Sequence, residues 1–399
     1  MRVLYTYMFP LWGNGSGAWL RRLTNQLVKI QGKNFEAAIV APDKHDLPQA
    51  KVYHLKPPQM GVFVGNPELP GVKKYADFTP MELIELLNYY LLETAKAIED
   101  FKPDVIHVFH TAFLPHIARN LANFYKIPFI LTTHGSDLYY FKEDTRWKSL
   151  MQSASQKATF ITANSDFTKE WYLKLFGQEF DQKTKVIPSG IDNNVDFDRD
   201  VSWIDKKYKF KRKHMVLFTG RLTEHKGVEY LIMAAEKIDA EIVIAGDGPE
   251  RPYLEKLVKE HKLDNVHIVG YLSPNKGDKI EDFYLRADVY VAPSVWKEPL
   301  GLVLLEAMVY KTPVIVTQSG GVKTIVEDDV TGYLVYAKRS DMIAKRVNML
   351  LEDDEKRKQM GENAYKRVLE KFNWDKIAGK FYNLYERTIT LTQQPPAKS

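Results

Sequence analysis

Two glutamates, Glu298 and Glu306, stand eight positions apart in the stretch PSVWKEPLGLVLLEAM, residues 293–308. Between them Pro299 fixes a turn and Gly301 removes a side chain, so a helix is expected to start there with the amides near Leu302 and Val303 open to an anion. A phosphate suits such a start. The two carboxylates can meet different ends of one bound molecule, and this spacing suggests a nucleotide sugar. A second cluster lies upstream in GRLTEHKG, residues 220–227, where Arg221 and Lys226 are five positions apart. A planar guanidinium fork and an ammonium point charge can grip a diphosphate from two directions. The plainer reading of both clusters is solvated charge on an ordinary helix and turn.

These residues need elements to carry them. The apolar runs ADVYVA (287–292) and MVLFTG (215–220) read as buried strands leading into the two clusters. Similar runs, RVLYTY (2–7), AAIVAP (37–42), PDVIHVF (103–109), IPFILTTH (127–134), AEIVIA (240–245), VHIVGYL (266–272) and TPVIVTQ (312–318), alternate with helical patterns. Such alternation predicts an α/β fold with parallel, doubly wound sheets, which bind ligands at the C-terminal ends of their strands. At 399 residues the chain exceeds one hydrophobic core, so two domains are expected, 1–190 and 191–373, divided at the turn-rich IPSGID. Residues 57–79, rich in Gly and Pro, read as a long loop on the first domain.

Composition narrows the function classes. With 45% hydrophobic and 27% charged residues, the chain matches an ordinary soluble globular protein. It has no apolar run of about eighteen residues and starts directly in a strand pattern, so a cytoplasmic protein is expected. The absence of cysteine excludes disulfides and thiolate chemistry. A net charge of +5 is too slight to argue for nucleic acid. The basic run KKYKFKRKH, 206–214, leaves room for peripheral contact with an anionic membrane, against the plainer reading of a solvated segment between domains. His107, His110 and His116 are closely spaced but lack a partnering acid at site-like spacing, and Asp196 and Asp198 stand in an irregular connector, so no metal is expected. In WGNGSGAW, residues Gly13, Gly15 and Ala18 fit a dinucleotide fingerprint. That loop starts about six residues after its strand, and no acid clearly ends the second strand, which argues against a nicotinamide enzyme.

The pattern EPLGLVLLEAM resembles the signature of retaining GT-B glycosyltransferases of the glycogen-synthase and sucrose-synthase kind, glycosyltransferase family four. The resemblance implies two Rossmann-like domains facing across a cleft, with the C-terminal helix, about 374–390, packing back on the first domain. Residues 391–399, ending QQPPAKS, are expected to be a loose tail. It implies that Glu298 contacts the donor sugar and Glu306 the ribose. GRLTEHKG resembles the family's G-R-L-x-x-x-K-G, and residues 246–249, GDGP, resemble its G-x-G-P turn under the nucleotide, which brings in Gly246. Tyr271 and Leu272 correspond to the segment beside the base, and Gly15, Ser16 and Gly17 to the glycine element near the diphosphate. His134, in HGSD, resembles the histidine that reaches the donor sugar, with His110 lining the same region and Asp137 a weaker candidate. Lys323 and Thr324 replace the family's usual Pro-Glu, which puts analogies about donor selectivity in doubt. The implied activity is metal-independent, retaining transfer from a nucleoside diphosphate sugar, a UDP-sugar ahead of GDP- or ADP-sugars, to a hydroxyl of a sugar, lipid-linked or small-molecule acceptor. No separate cofactor is implied. The rival readings are a hydrolysing nucleotide-sugar epimerase and a non-catalytic nucleotide-sugar-binding protein.

Overall fold

Runs such as Val105–Phe109 and Phe129–Thr133 contain no alternating polar positions because both faces of their sheet are covered, and every residue in them is buried. The computed structural model describes residues 1–12, 14–63, 72–272 and 279–393. Gly13 and the last six residues of the expected tail lie outside them. The chain divides into two compact units, Met1–Gly190 joined by the segment from Trp374, and Ile191–Asn373.

The first unit holds β1 (Arg2–Thr6), β2 (Glu36–Ala41), β3 (Lys51–His54), β4 (Val105–Phe109), β5 (Phe129–Thr133), β6 (Phe160–Ala163) and β7 (Thr184–Val186). They form one parallel sheet in the order β3-β2-β1-β4-β5-β6-β7, so the winding reverses between β1 and β4. The second unit holds β8 (Met215–Thr219), β9 (Glu241–Ala245), β10 (Val266–Gly270), β11 (Val289–Ala292), β12 (Val314–Thr317) and β13 (Gly332–Val335). They too pair in parallel, in the order β10-β9-β8-β11-β12-β13, with the reversal between β8 and β11. Each reversal opens a crevice at the strands' C-terminal ends, where doubly wound sheets take their ligands.

The Trp374–Gln393 helix belongs to the first unit. Trp374, Ile377, Phe381 and Tyr385 recur at helical spacing and are buried with Tyr5, Trp19 and Phe109. His107 is fixed in this layer by Tyr385 OH at 2.8 Å and Thr132 Oγ1 at 2.7 Å. The helix runs to Gln393, so residues 391–393 continue it where a loose tail was expected.

Two further expectations change. Part of the presumed long loop is tied into the core: Val62 bridges to Lys74, Phe63, Tyr75 and Phe78 are buried, and Arg146 donates to the carbonyls of Tyr75, Ala76 and Phe78. Residues 64–71 of that segment lie outside the described residues. The basic run 206–214 falls inside the second unit. Tyr208 and Phe210 pack on its core, the amides of Lys211 and Arg212 donate to Glu241, and the Arg212 guanidinium meets Asp264 at 2.8 Å. Among the described residues, no helix is long and apolar enough to cross a membrane.

Candidate active site

In the second unit, chemistry gathers where β8 and β11 end. Gly220, Gly246 and Gly248 let the chain turns after β8 and β9 touch: a Cβ at Gly246 would lie 1.8 Å from the Gly220 carbonyl oxygen, and one at Gly248 2.4 Å from that of Leu222. The backbone of Asp247 accepts the Leu222 amide at 2.9 Å, which locks this corner and sets Arg221 at the tip of β8. Lys226 ends the short 3₁₀ turn Glu224–Lys226, and Gly227, at φ 61°, follows because a Cβ there would strike the Pro293 carbonyl oxygen at 2.3 Å.

This corner brings Lys226 onto Glu298. Lys226 Nζ donates to Glu298 Oε1 at 2.5 Å, and Ser294 Oγ donates to the same oxygen at 2.9 Å. Burial raises the Glu298 carboxyl; the Lys226 charge and the hydrogen bonds outweigh it and hold the group below the usual carboxylate value. The backbone of Glu298 is pinned as well, since Gly321 N donates to its carbonyl at 2.7 Å. Gly301 caps the Leu302–Val309 helix at φ 93° and supplies no side chain to hydrogen-bond the amides of the first turn that Leu302 and Val303 begin. Glu306, one turn on, accepts from Tyr284 OH at 2.8 Å, and the Thr219 hydroxyl stands 2.7 Å from Tyr284 OH and 3.0 Å from Tyr290 OH. Burial first, and then the Glu306 charge, push the Tyr284 phenol well up, so it stays a donor. Lys226, Glu298, Gly301, Val303, Ser294 and Thr219 line one cavity of about 20 Å³, room for a single water beneath the turn. Gly246 sits in the glycine corner, Tyr271 is 70% exposed just past β10, and Leu272 packs against the core.

In the first unit, the Gly15–Gln31 helix begins at the expected glycine loop and takes Gly15, Ser16 and Gly17 into its first turn. Asn14 is the reason: its Oδ1 accepts the Gly17 amide at 2.7 Å as an N-cap. Gly17's amide is thus engaged, and its missing side chain makes room for Leu11, whose carbonyl oxygen lies 2.4 Å from where a Cβ would stand. A Cβ at Gly15 would meet nothing within 4 Å. Ser16 Oγ lies 2.7 Å from Tyr7 OH and 3.2 Å from His110 Nε2. His110 follows β4 in a left-handed conformation, φ 69°, and its ring centroid lies 5.0 Å from that of His134, just after β5. Burial lowers both imidazoles to about 3, so both are neutral at physiological pH. Among the described residues His134 Nε2 and His110 Nδ1 have no hydrogen-bond partner, and Asn164, after β6, donates to the His134 carbonyl at 2.9 Å.

Residues the sequence reading missed include Asn14, Tyr7, Asn164, Ser294, Thr219, Tyr284 and Tyr290. Ser294 lies inside the glutamate stretch and Asn14 is an N-cap type before a helix, so a local signal existed for these two. Tyr7 meets Asn14 and Ser16 seven and nine positions on, and the others meet partners distant in sequence. His116 bonds to Asn120, and Asp196 accepts the amide of Asp198 in a local turn. Among the described residues, no group of three metal-ligating side chains is placed to hold an ion. Lys323 and Thr324 lie on the short Val322–Ile325 helix, where the Thr324 carbonyl accepts from Arg367.

Residues 201–367 match the family Glycosyl transferases group 1, and residues 13–195 match Glycosyltransferase Family 4. A glycosyltransferase of Methanocaldococcus jannaschii is 37% identical over 71% of this chain and 75% of its own length. The N-acetyl-alpha-D-glucosaminyl L-malate synthase of Bacillus anthracis is 29% identical over 71% of this chain and 74% of its own. In three dimensions, the sucrose-phosphate synthase of Thermosynechococcus elongatus superposes with a TM-score of 0.74 at 20% identity, covering 98% of this chain and 99% of that one.

Proposed function

The chain belongs to glycosyltransferase family four and has its GT-B fold of two Rossmann-like units, and from that premise we propose that it moves a sugar, with retention at the anomeric carbon, from a nucleoside diphosphate sugar to a hydroxyl acceptor. The observation that carries this reading is the Lys226–Glu298–Ser294 cluster beside the uncapped turn at Gly301, with Glu306 held one helical turn away by Tyr284. Departure of a nucleoside diphosphate builds negative charge on phosphate oxygens. Arg221, Lys226 and the amides that follow Gly301 are preset cations and dipoles at one corner, the arrangement that counts most where charge develops. They take up the charge that a divalent ion handles in other transferases, so the reaction is metal-independent in this reading.

Glu298, ionised and anchored through Ser294, is an acceptor for sugar hydroxyls. Glu306 suits a ribose diol, because Tyr284 OH occupies one of its oxygens and fixes its orientation. Tyr271 and Leu272 stand beside the base, Gly246 beneath the nucleotide and Gly15 and Gly17 near the diphosphate, as the family resemblance assigns them. His134, neutral and with Nε2 unpartnered, is a hydrogen-bonding group for the donor sugar. The leaving phosphate accepts the proton of the acceptor hydroxyl on the face it departs from. A hydroxyl acceptor agrees with the name of the Bacillus anthracis relative, a synthase for a glucosaminyl L-malate.

A thermal-shift screen of UDP, GDP, ADP and their sugars names the donor, with UDP-sugars expected to raise the melting point most. Arg221→Ala and Glu306→Gln should each lower turnover with that donor by about 100-fold or more. Full turnover in either would remove the assigned role. NMR of the product should show the donor's anomeric configuration; an inverted linkage, or an altered free sugar formed from donor and water alone, refutes the reading.

A further inference from the structure

Asp137 lies in the first turn of the Ser136–Glu143 helix, fully buried, and the reaction described above leaves it no task. Its carboxylate is nonetheless crowded with donors. Oδ1 accepts from Thr133 Oγ1 at 3.0 Å, from the His134 amide at 3.1 Å and from the Gly135 amide at 2.9 Å. Oδ2 accepts the Thr111 amide at 2.8 Å, and the Thr111 hydroxyl donates to the Asp137 carbonyl at 3.2 Å. One side chain thereby ties the turn after β4 to the turn after β5.

Both turns need tying. Gly135, the helix N-cap, has φ 95° and no side chain with which to cap, so Asp137 reaches back to the amides in its place. On the other turn, His110 and Ala112 hold φ 69° and 90°. Non-glycine residues persist in that region only where their surroundings over-determine them, and Thr111, bonded twice to Asp137, stands between the two. His110 Nδ1 is 4.0 Å from Asp137 Oδ2, too far for a hydrogen bond, so the carboxylate fixes the backbone of both histidines and leaves their unpartnered ring nitrogens available.

We propose that Asp137 is a positioning residue that fixes His134 and His110 for the donor sugar by clamping the two strand-end turns that carry them. The inference rests on the role given to His134 above. Asparagine cannot replace the carboxylate, because its NH₂ must face backbone donors on one side or the other.

The first test needs no substrate. In histidine-ring ¹⁵N NMR of the full chain, Asp137→Asn should shift or broaden the His110 and His134 signals and leave that of His107, held by Tyr385 and Thr132, in place. Unmoved His110 and His134 rings overturn the proposal. The second test is kinetic, using the nucleoside diphosphate sugar with the largest thermal shift. Asp137→Asn should lower kcat roughly 30- to 100-fold with little change in KM, but by no more than about threefold on a His134→Ala background, because groups acting as a unit are not additive. Equal losses on both backgrounds overturn it. Full turnover in His134→Ala alone would instead refute the role of His134, while the NMR still decides whether Asp137 holds the rings. If Asp137→Asn does not fold, Thr133→Val removes one donor and is read by the same two measurements; unchanged rings in that variant count against the proposal.

Discussion

Replacing Lys226 by Met isolates the ion pair at the centre of the candidate active site. The Glu298 side chain is 13% exposed and that of Lys226 27%, so this pair is largely out of water, and Met keeps the aliphatic stem while deleting the charge. Breaking a buried pair by removing one partner costs about 3–5 kcal/mol, since the other charge is left desolvated. Partial exposure of Lys226 and the surviving Ser294 hydrogen bond place the expected loss at the lower end, about 3 kcal/mol. For a unit of this size that is a melting shift of roughly 6–12 °C.

The loss should depend on pH. In the native chain the Glu298 carboxyl is held below its ordinary value, so its contribution is present above that value and fades as pH falls through the depressed one. Without Lys226, burial dominates and raises the group, so the variant loses stability as pH rises. The gap between the two proteins therefore widens from acid toward neutral pH. Urea unfolding followed by circular dichroism at several pH values measures it. Adding Glu298→Gln to Lys226→Met removes the stranded charge and should restore at least half of the loss at pH 7.5. A double variant no more stable than Lys226→Met refutes the reasoning.

Three further outcomes are expected. Burial lowers His110 and His134 to about 3, whereas the unfolded chain takes up these protons near 6.5, so stability of the first unit should fall as pH drops from about 6.5 toward 3, a trend that urea titrations at pH 7.5, 6 and 5 will read. Gly246→Ala drives a Cβ to 1.8 Å from the Gly220 carbonyl oxygen and should destabilise the second unit by about 3 kcal/mol or more, seen as a lower urea midpoint. Asn14→Ala removes the N-cap and the acceptor for Tyr7 OH, and should lower stability by about 1–2 kcal/mol in calorimetry.

Much of the fold could be read from the sequence because its central strands are covered on both faces and appear as unbroken apolar runs. β3, β6, β7 and β13 escaped: they are three or four residues long, and β3 has no buried residue. The glycines before the first helix read as a loop because glycine disfavours helices; the Asn14 cap and the close approach of Leu11 override that preference. In the candidate site, sequence located the charged residues by their place at strand tips. It could not supply their partners, since Lys226 meets Glu298 72 positions away and Tyr284 reaches Glu306 from another helix. Asp137 illustrates the gap: its neighbours in sequence suggest a helix-start acid, while its bond to the Thr111 amide spans 26 residues.

The Trp374–Gln393 helix carries a consequence for how the protein is made. It is translated after the whole second unit, yet Trp374, Ile377, Phe381 and Tyr385 cover the face of the sheet that Tyr5 and Phe109 begin. At about 5–20 residues per second, the first unit's strands wait roughly 10–40 s for that cover. The second unit is contiguous in sequence and can close during the same interval. The order of completion thus reverses the order of translation, and the nascent first unit presents an aromatic face that is a natural client for chaperones until this helix docks.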